Sequence, residues 1–134
     1  MKTRGLNHLA MSVPVGTLTE EFRAELREFY GPLLGWTELE DLALADRMTF
    51  GVGGNTYVNI RERDDVMQTH GYEHFGIVMH SAEDADECYR ALEAESRDVQ
   101  LEPKKTGDDG YRVFRFRYLL PLAIEVQHFP PRGS

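Results

Sequence analysis

Cysteine is nearly missing from this sequence, since only Cys88 among its 134 residues carries a thiol. A single cysteine excludes an intramolecular disulfide and is typical of proteins in a reducing cytoplasm. No apolar run approaches the ~20 residues that span a bilayer, and the opening residues lack the apolar region of a secretory signal. We therefore expect a cytoplasmic protein without a membrane segment.

Positive charge is also scarce. The 15 Lys and Arg residues are outnumbered by 23 Asp and Glu, which gives a net charge of −8. This balance argues against nonspecific nucleic-acid binding, which depends on cationic side chains that neutralise phosphates. A phosphate loop and a dinucleotide fingerprint are absent as well. The composition, 41% hydrophobic and 28% charged, is typical of a globular domain, and we predict a single domain over residues 1–134.

Two stretches of the sequence share one pattern. GLNHLAMSV (5–13) and GYEHFGIVM (71–79) each place a histidine three residues after a glycine and continue with alternating apolar residues. The two histidines, His8 and His74, differ by 66 positions. A shared spacing of this kind indicates an internal repeat.

The same offset of 66 aligns a second pair of strand-like runs. TYVNI (56–60) aligns with LAIEV (122–126), so that Asn59 corresponds to Glu125. Both ends of the two halves therefore align without a gap, which favours a repeat over a chance match.

Between these strands, apolar residues at helical spacing predict helices over 19–34 and 82–95. Thr17 and Ser81, each followed three residues later by an acidic residue, are the predicted N-caps. Each half is thus expected to form a strand, a helix and three more strands.

The predicted fold class is α+β, built from two βαβββ modules. Module one covers about 5–61 and module two about 71–129, with the polar stretch 61–70 as their connection. We expect the closing PPRGS, residues 130–134, to be frayed.

Strand parity predicts which face each candidate side chain occupies. Along 71–79, Phe75 and Ile77 share the greasier face that should pack on a helix, and His74 lies on the opposite face. The same counting places His8, Asn59 and Glu125 on the face away from the helices. Two histidines and one carboxylate on one face suit a divalent metal of the first transition row, so we predict metal ligands at His8, His74 and Glu125. The alternative is that both histidines are partly buried polar residues and that Glu125 pairs with a nearby arginine.

Four motifs resemble the vicinal oxygen chelate superfamily, which includes glyoxalase I, extradiol dioxygenases, epimerases and the fosfomycin- and bleomycin-resistance proteins. They are HLAMSV (8–13), EFYGPLLGW (28–36), YEHFGIVM (72–79) and AIEVQHF (123–129). The resemblance implies two βαβββ modules in a cupped mixed sheet with helices on the convex face. It also implies one divalent metal ion (Fe, Mn, Zn, Ni or Co), held at positions that correspond here to His8, Asn59, His74 and Glu125.

The resemblance implies an enzyme that acts on a small oxygen-bearing substrate chelated to the metal. Asn59 stands where glyoxalase- and epimerase-like members usually supply Glu or Gln, so dioxygenase-like chemistry is favoured within the class. The usual Asp-Pro-x-Gly turn before the last strand is replaced by YLLPLAIE (118–125). The alternatives are a glyoxalase- or epimerase-type lyase or isomerase, and a metal-free, drug-sequestering protein of the bleomycin-resistance type.

Other polar residues are candidates for substrate contact. Arg115 and Arg117 alternate with aromatic residues and are expected to face the cup, where they could bind an anionic group beside Asn59. Their alternative role is pairing with acidic neighbours at the rim. Tyr57 and Tyr118 are the candidate catalytic residues, although packing is the favoured role for Tyr57. We also expect a homodimer, because paired modules of this family expose sheet edges.

Other distinctive residues are assigned structural roles. Cys88 and Trp36 are predicted to be buried. His70, His80 and His128 have no repeat partner and are predicted to lie at the surface or at edges.

Overall fold

A computed structural model describes residues 1–130 of the chain. The chain divides into two compact units, one over Met1–Gln68 and a second that starts at Thr69. The two α-helices in the described range have 15 and 12 residues, and none of its helices is long and apolar enough to cross a bilayer. The predicted frayed tail, 130–134, falls almost wholly on residues outside the described range.

The first unit is a four-stranded mixed sheet with one α-helix, and a 3-10 turn over Glu40–Leu42. Its elements in chain order are β1 (His8–Pro14), α1 (Glu20–Leu34), β2 (Thr37–Glu38), β3 (Arg47–Gly53) and β4 (Thr56–Arg63). The strand order is β1-β4-β3-β2, in which β1 runs parallel to β4 and the other pairs are antiparallel. The hairpin between β3 and β4 turns at Gly53 and Gly54, whose φ angles of 118° and 54° favour glycine.

The second unit repeats this arrangement. Its elements are β5 (His74–Val78), α2 (Ala82–Glu93), β6 (Gln100–Leu101), β7 (Lys105–Thr106), β8 (Arg112–Arg117) and β9 (Ala123–His128). The order is β5-β9-β8-β6, and β7 also pairs with β8. The predicted pair of βαβββ modules is confirmed, with one difference: the edge strand of the second unit is divided into two short pieces. Polar residues and Pro103 separate those pieces.

The repeat extends to the register of the strands. His8 lies opposite Tyr57 in the first unit, and His74 lies opposite Ala123 in the second, so both partners are shifted by 66. Likewise Thr49 lies opposite Asn59, and Arg115 lies opposite Glu125. The offset inferred from the sequence therefore describes backbone pairing as well as residue type.

The helix starts differ from the prediction in one unit. Ser81 is the N-cap of α2, since its hydroxyl accepts a hydrogen bond from the Asp84 amide at 3.0 Å. In the first unit the cap is Thr19, not the predicted Thr17, because the Thr19 hydroxyl accepts from the Phe22 amide at 3.1 Å. The Thr17 hydroxyl instead donates to the Pro14 carbonyl at 2.6 Å, in the turn that leaves β1.

Each helix covers one face of its own sheet. In the first unit the Tyr30 ring of α1 lies 6.4 Å from Phe50, and Trp36 stacks on Tyr30 at 5.1 Å. In the second unit the Tyr89 ring of α2 lies 5.1 Å from Phe114. Cys88 and Trp36 are buried, as predicted. The opposite face of each sheet carries His8 or His74, and we call it the histidine face.

Candidate functional site

Two of the three predicted metal ligands come together on the histidine face of the second unit. Glu125 lies in the central strand β9, with Gly76 of β5 directly opposite, and His74 pairs with Ala123. The imidazole of His74 reaches along the strand toward the carboxylate. The distance between His74 Nε2 and Glu125 Oε2 is 3.6 Å, and both side chains are about one-fifth exposed, at 23% and 20%.

The backbone determines which nitrogen of His74 carries the proton. His74 Nδ1 lies 2.6 Å from the carbonyl oxygen of Tyr72, which can only accept a hydrogen bond. A proton is therefore assigned to Nδ1, and Nε2 is the nitrogen directed toward Glu125. Metal-binding histidines commonly have this arrangement, in which the non-coordinating nitrogen donates to a carbonyl or carboxylate.

Glu125 has a different neighbour at each oxygen. Gln127 Nε2 donates a hydrogen bond to Oε1, and Oε2 lies 3.6 Å from both His74 Nε2 and Arg115 Nε. A separation of 3.6 Å is too long for a hydrogen bond. Oε2 of Glu125 and Nε2 of His74 therefore face each other without a hydrogen bond between them. Both atoms can bind a metal ion, and their separation suits two ligands of the same ion.

Arg115 is the cation nearest to this pair. Its Nε donates to Glu102 Oε2 at 2.8 Å, a shorter contact than the 3.6 Å to Glu125. Its Nη1 also lies 3.5 Å from His74 Nδ1, but that nitrogen is committed to the much closer Tyr72 carbonyl. The alternative role predicted for Arg115, pairing with an acidic neighbour, is thus realised with Glu102.

Arg117 lies two residues further along β8 and has no such partner. Its Nε is buried, and in the described range it is the one buried side-chain nitrogen or oxygen without a hydrogen-bond partner. Leaving a buried donor unsatisfied costs roughly 1–3 kcal/mol, and more for a charged group. Arg117 therefore stands out as a side chain built to receive an acceptor.

Two cavities flank Arg115 in the second unit. One, the Arg117 cavity, has a volume of about 170 Å³ and is lined by Gly71, Glu102, Arg115, Arg117 and Ala123 among others. The other, the Glu125 cavity, has a volume of about 220 Å³, and its lining includes Glu102, Lys105, Arg115 and Glu125. The ion pair of Glu102 with Arg115 lines both cavities.

In the first unit, His8 and Asn59 lie on the corresponding face. His8 Nδ1 contacts the side-chain oxygen of Asn7 at 2.8 Å, so this imidazole too carries its proton on Nδ1 and presents a free Nε2. Its ring stacks on Tyr57, with 5.0 Å between the ring centres and 8° between the planes. Asn59 Oδ1 accepts a hydrogen bond from the hydroxyl of Thr49 at 2.7 Å. The amide oxygen of Asn59 is therefore already used within its own sheet.

Across residues 1–130, no cluster of three or more His, Cys, Asp or Glu side chains has the closeness that would hold a metal ion. The second unit supplies a pair of donors, and that pair fits a divalent metal by its chemistry and by the tautomer of His74.

The remaining predicted residues have clear positions. Tyr118 is buried, with 8% of its surface exposed. Burial raises the pKa of the Cys88 thiol to about 12, so the thiolate is not available as a nucleophile near neutral pH. His70 is exposed and pairs with Glu73 at 3.3 Å, and His128 Nδ1 contacts the Gly110 carbonyl at 3.0 Å.

Sequence reasoning missed Glu102. It follows the two-residue strand β6, where no alternation of apolar and polar residues marks a face. Only the pairing of Gln100 and Leu101 with β8 places Glu102 beside Arg115. A single acidic residue outside a regular strand or helix has no sequence pattern that would predict its ion pair with Arg115.

Several solved structures resemble the chain along nearly its whole length. A glyoxalase-family protein from Bacillus anthracis is 21% identical, with a TM-score of 0.68, over 96% of this chain and 97% of that chain. The fosfomycin resistance protein FosX from Listeria monocytogenes, in complex with Mn(II) and sulfate, is 18% identical, with a TM-score of 0.67, over 95% and 91%. Lactoylglutathione lyase from Agrobacterium tumefaciens is 17% identical, with a TM-score of 0.66, over 95% of each chain.

Comparison at the level of sequence finds less. No protein-family model matches the chain, and no curated protein sequence matches it. The likeness therefore concerns the backbone fold, and it extends over nearly the whole of each chain. The chain has the fold of the vicinal oxygen chelate superfamily, the glyoxalase-type fold of paired βαβββ modules.

Proposed function

We propose that this chain is a divalent-metal-dependent enzyme that acts on a small substrate through adjacent oxygen atoms. The observation that carries the proposal is the pair in the second unit: His74, held through Nδ1 by the Tyr72 carbonyl, faces Glu125 Oε2 with its Nε2 at 3.6 Å. When bound, the metal would act as a Lewis acid that polarises the substrate oxygens.

His74 and Glu125 would hold this metal, with His8 as the third protein ligand. His8 enters the proposal through the 66-residue repeat and through its own hydrogen bond to Asn7, which leaves Nε2 free. Asn59 would lie outside the ligand set, because its amide oxygen accepts from Thr49. Two imidazoles and one carboxylate suit Fe, Mn, Zn, Ni or Co, and leave positions open for substrate.

The type of reaction is a finer part of the proposal. A ligand set of His8, His74 and Glu125 without a fourth protein donor supports dioxygenase-like chemistry, in which substrate and oxygen would take the open positions. Glyoxalase- or epimerase-type chemistry is the alternative within the class, and the resemblance in backbone to a lactoylglutathione lyase supports it. Tyr57, stacked on His8, is the better candidate for an acid, because Tyr118 is buried.

A titration of metal into chelator-stripped protein tests the proposal. Fe(II), Mn(II), Co(II), Ni(II) and Zn(II) would be titrated by calorimetry into the wild type, His74→Ala and Glu125→Ala. We expect at least one of these metals to bind the wild type, and each variant to lose affinity by orders of magnitude because one of three donors is missing. His70→Ala is the matched control, since His70 is exposed and outside the pair. If the wild type binds none of the five metals, the proposed site is wrong.

A metal-free binding protein is the second candidate function. One observation favours it: the Arg115 guanidinium lies 3.6 Å from Glu125 Oε2 and could neutralise this carboxylate without a metal. In that case the wild type would bind none of the five metals, and His74→Ala and Glu125→Ala would change only the affinity for the organic ligand.

The assembly and the compartment are further parts of the proposal. We propose a homodimer in the cytoplasm with a small anionic molecule as its ligand. Light scattering at micromolar protein concentration tests the dimer, and a monomer there would contradict it.

A further inference from the structure

We propose that Arg117, and not Arg115, binds an anionic group of the ligand, and that this group is a carboxylate or phosphate in the Arg117 cavity. The proposal rests on the proposed function only in taking the bound molecule to be the substrate. The anion site itself lies within the second unit and requires no metal.

The first observation is the unsatisfied guanidinium. The Nε of Arg117 is buried without a hydrogen-bond acceptor, and none of the ion pairs among residues 1–130 involves Arg117. An arginine carries five N–H donors in a planar fork, and two of them match the two oxygens of a carboxylate or phosphate. A small oxyanion would therefore supply both the missing acceptor and the missing charge.

The second observation is the balance of charge around the Arg117 cavity. Its charged lining residues are Arg115, Arg117 and Glu102. Glu102 is engaged by Arg115 at 2.8 Å, and Arg115 has Glu125 as a second acidic neighbour. The two arginines thus differ: Arg115 is neutralised, whereas Arg117 remains an uncompensated cation at the cavity wall.

The third observation is the position of the cavity relative to the donor pair. Arg115 and Arg117 are two residues apart on the same face of β8, which separates their Cα atoms by roughly 7 Å. Glu125 lies opposite Arg115, and Ala123, which lines the cavity, pairs with His74. A molecule whose anionic group is bound by Arg117 would therefore need only a few further bonds to reach His74 and Glu125.

Together these observations describe the class of ligand. A cavity of about 170 Å³ is smaller than the ~300–1,000 Å³ of pockets that hold drug-sized molecules. The ligand is therefore a small molecule with two functional parts. Its carboxylate or phosphate binds Arg117, and other oxygen atoms a few bonds away reach His74 and Glu125.

The test uses chelator-stripped protein, inorganic phosphate and acetate, and the proton–nitrogen resonances of the arginine Nε–H groups. The Arg117 Nε–H signal is assigned by its absence from Arg117→Met and, independently, from Arg117→Lys. In the wild type we expect this signal to shift and saturate with at least one of the two anions. The anion that binds more tightly identifies the class of group. An Arg117 signal that does not move with either anion would overturn the proposal, even if Arg117→Met failed to fold.

Variants separate Arg117 from its neighbours. Arg117→Met should weaken binding of the anion by roughly tenfold or more, because a charge-assisted hydrogen bond is lost, and Arg117→Lys should restore part of the affinity. Arg112→Met is the control for net charge, since Arg112 lies on the same strand but pairs with Asp86. The double variant Glu102→Gln with Arg115→Met removes the ion pair without changing the net charge. Its affinity for the anion should stay within about threefold of that of the wild type.

If the double variant loses binding as fully as Arg117→Met, Arg115 shares the role and the proposal is wrong. Because no metal is present in this experiment, its failure would leave the metal titration of His74→Ala and Glu125→Ala unaffected. Conversely, a chain that binds no metal could still bind phosphate or acetate at Arg117.

Discussion

The two units of this chain have the same strand register but different chemistry on their histidine faces. At four pairs of equivalent positions, the first unit has neutral or missing side chains and the second has charged or small ones. The pairs are Thr49 and Arg115, Gly51 and Arg117, Tyr57 and Ala123, and Asn59 and Glu125. The repeat determines where a side chain points, and the local substitutions determine what it can bind.

Burial differs in the same way between the two units. In the first unit, Thr49 is fully buried and satisfies Asn59 through a neutral hydrogen bond. In the second unit, the equivalent of Thr49 is Arg115, which keeps 27% of its side chain exposed beside Glu125. A charged pair is costly to bury completely, so the second face stays open to solvent and to ligands. The neutral hydrogen bond between Thr49 and Asn59 can be buried without the cost of burying charges, which favours a structural role for Asn59.

The helices of the two units differ as well, because α1 carries a buried arginine and α2 does not. Among the substitutions that we predict to affect stability, Arg23→Ala in α1 should have the largest effect. Arg23 of α1 is nearly buried, with 9% exposed, and donates to the backbone carbonyls of Leu18, Leu44, Ala45 and Arg47. The equivalent position of α2, four residues after the N-cap, is Ala85. Arg23→Ala would leave several buried carbonyls unpaired and should lower the free energy of unfolding by roughly 2–4 kcal/mol.

Urea unfolding measures the effect of Arg23→Ala. Arg90→Ala, at an exposed position of α2, is the control and should change stability little. Equal losses in the two variants would mean that the carbonyl contacts of Arg23 contribute nothing.

Each unit has an ionic cluster at its helix: Arg27 of α1 pairs with Glu20 and Glu38 in the first unit, and Asp86 of α2 is the centre of the cluster in the second. Asp86 of α2 accepts from Lys104 at 2.6 Å and from Arg112 at 2.8 Å. The hydrogen bonds from Arg112 and Lys104 hold the pKa of the Asp86 carboxyl below its usual range. A carboxyl pKa that is lower in the folded state stabilises the fold above the unfolded pKa, and that stabilisation is lost as the pH falls through the folded pKa.

Asp86→Asn should therefore lower Tm by roughly 3–6 °C at pH 7 and by progressively less below about pH 4. Thermal unfolding followed by circular dichroism across this range measures the difference. Glu87→Gln, at an exposed position of the same helix, is the matched control. A difference between Asp86→Asn and the wild type that stayed constant down to pH 2 would argue against the lowered pKa.

The N-caps give the smallest expected effects and sharpen the comparison of the two helices. Thr19→Ala and Ser81→Ala should each cost about 0.5–1 kcal/mol, because each removes the acceptor of one amide at a helix start. Thr17→Ala should cost less, since its hydroxyl bonds a turn carbonyl and no helix amide. Chemical denaturation of the three variants tests this order, and a larger loss in Thr17→Ala would reverse the assignment of the cap.

The sequence alone predicted the features that depend on local periodicity. The repeat, both helices and the shared face of His74 and Glu125 followed from spacing, because side chains alternate along a strand whatever its partner. Other features depend on contacts distant in sequence. Glu102 reaches Arg115 through the register of β6, and Arg23 bonds backbone carbonyls, which have no side-chain signature. The stacking of His8 on Tyr57 needed the register of a parallel pair, which parity does not give.

The central claim of the proposal is that Glu125 is a metal ligand, together with His74 and His8, and that Asn59, the counterpart of Glu125, is not. Calorimetric titration of the tightest-binding metal into the wild type, Glu125→Ala and Asn59→Ala tests it most directly. Glu125→Ala should lose about 100-fold or more in affinity, and Asn59→Ala no more than about tenfold. Equal losses in Glu125→Ala and Asn59→Ala would contradict the claim.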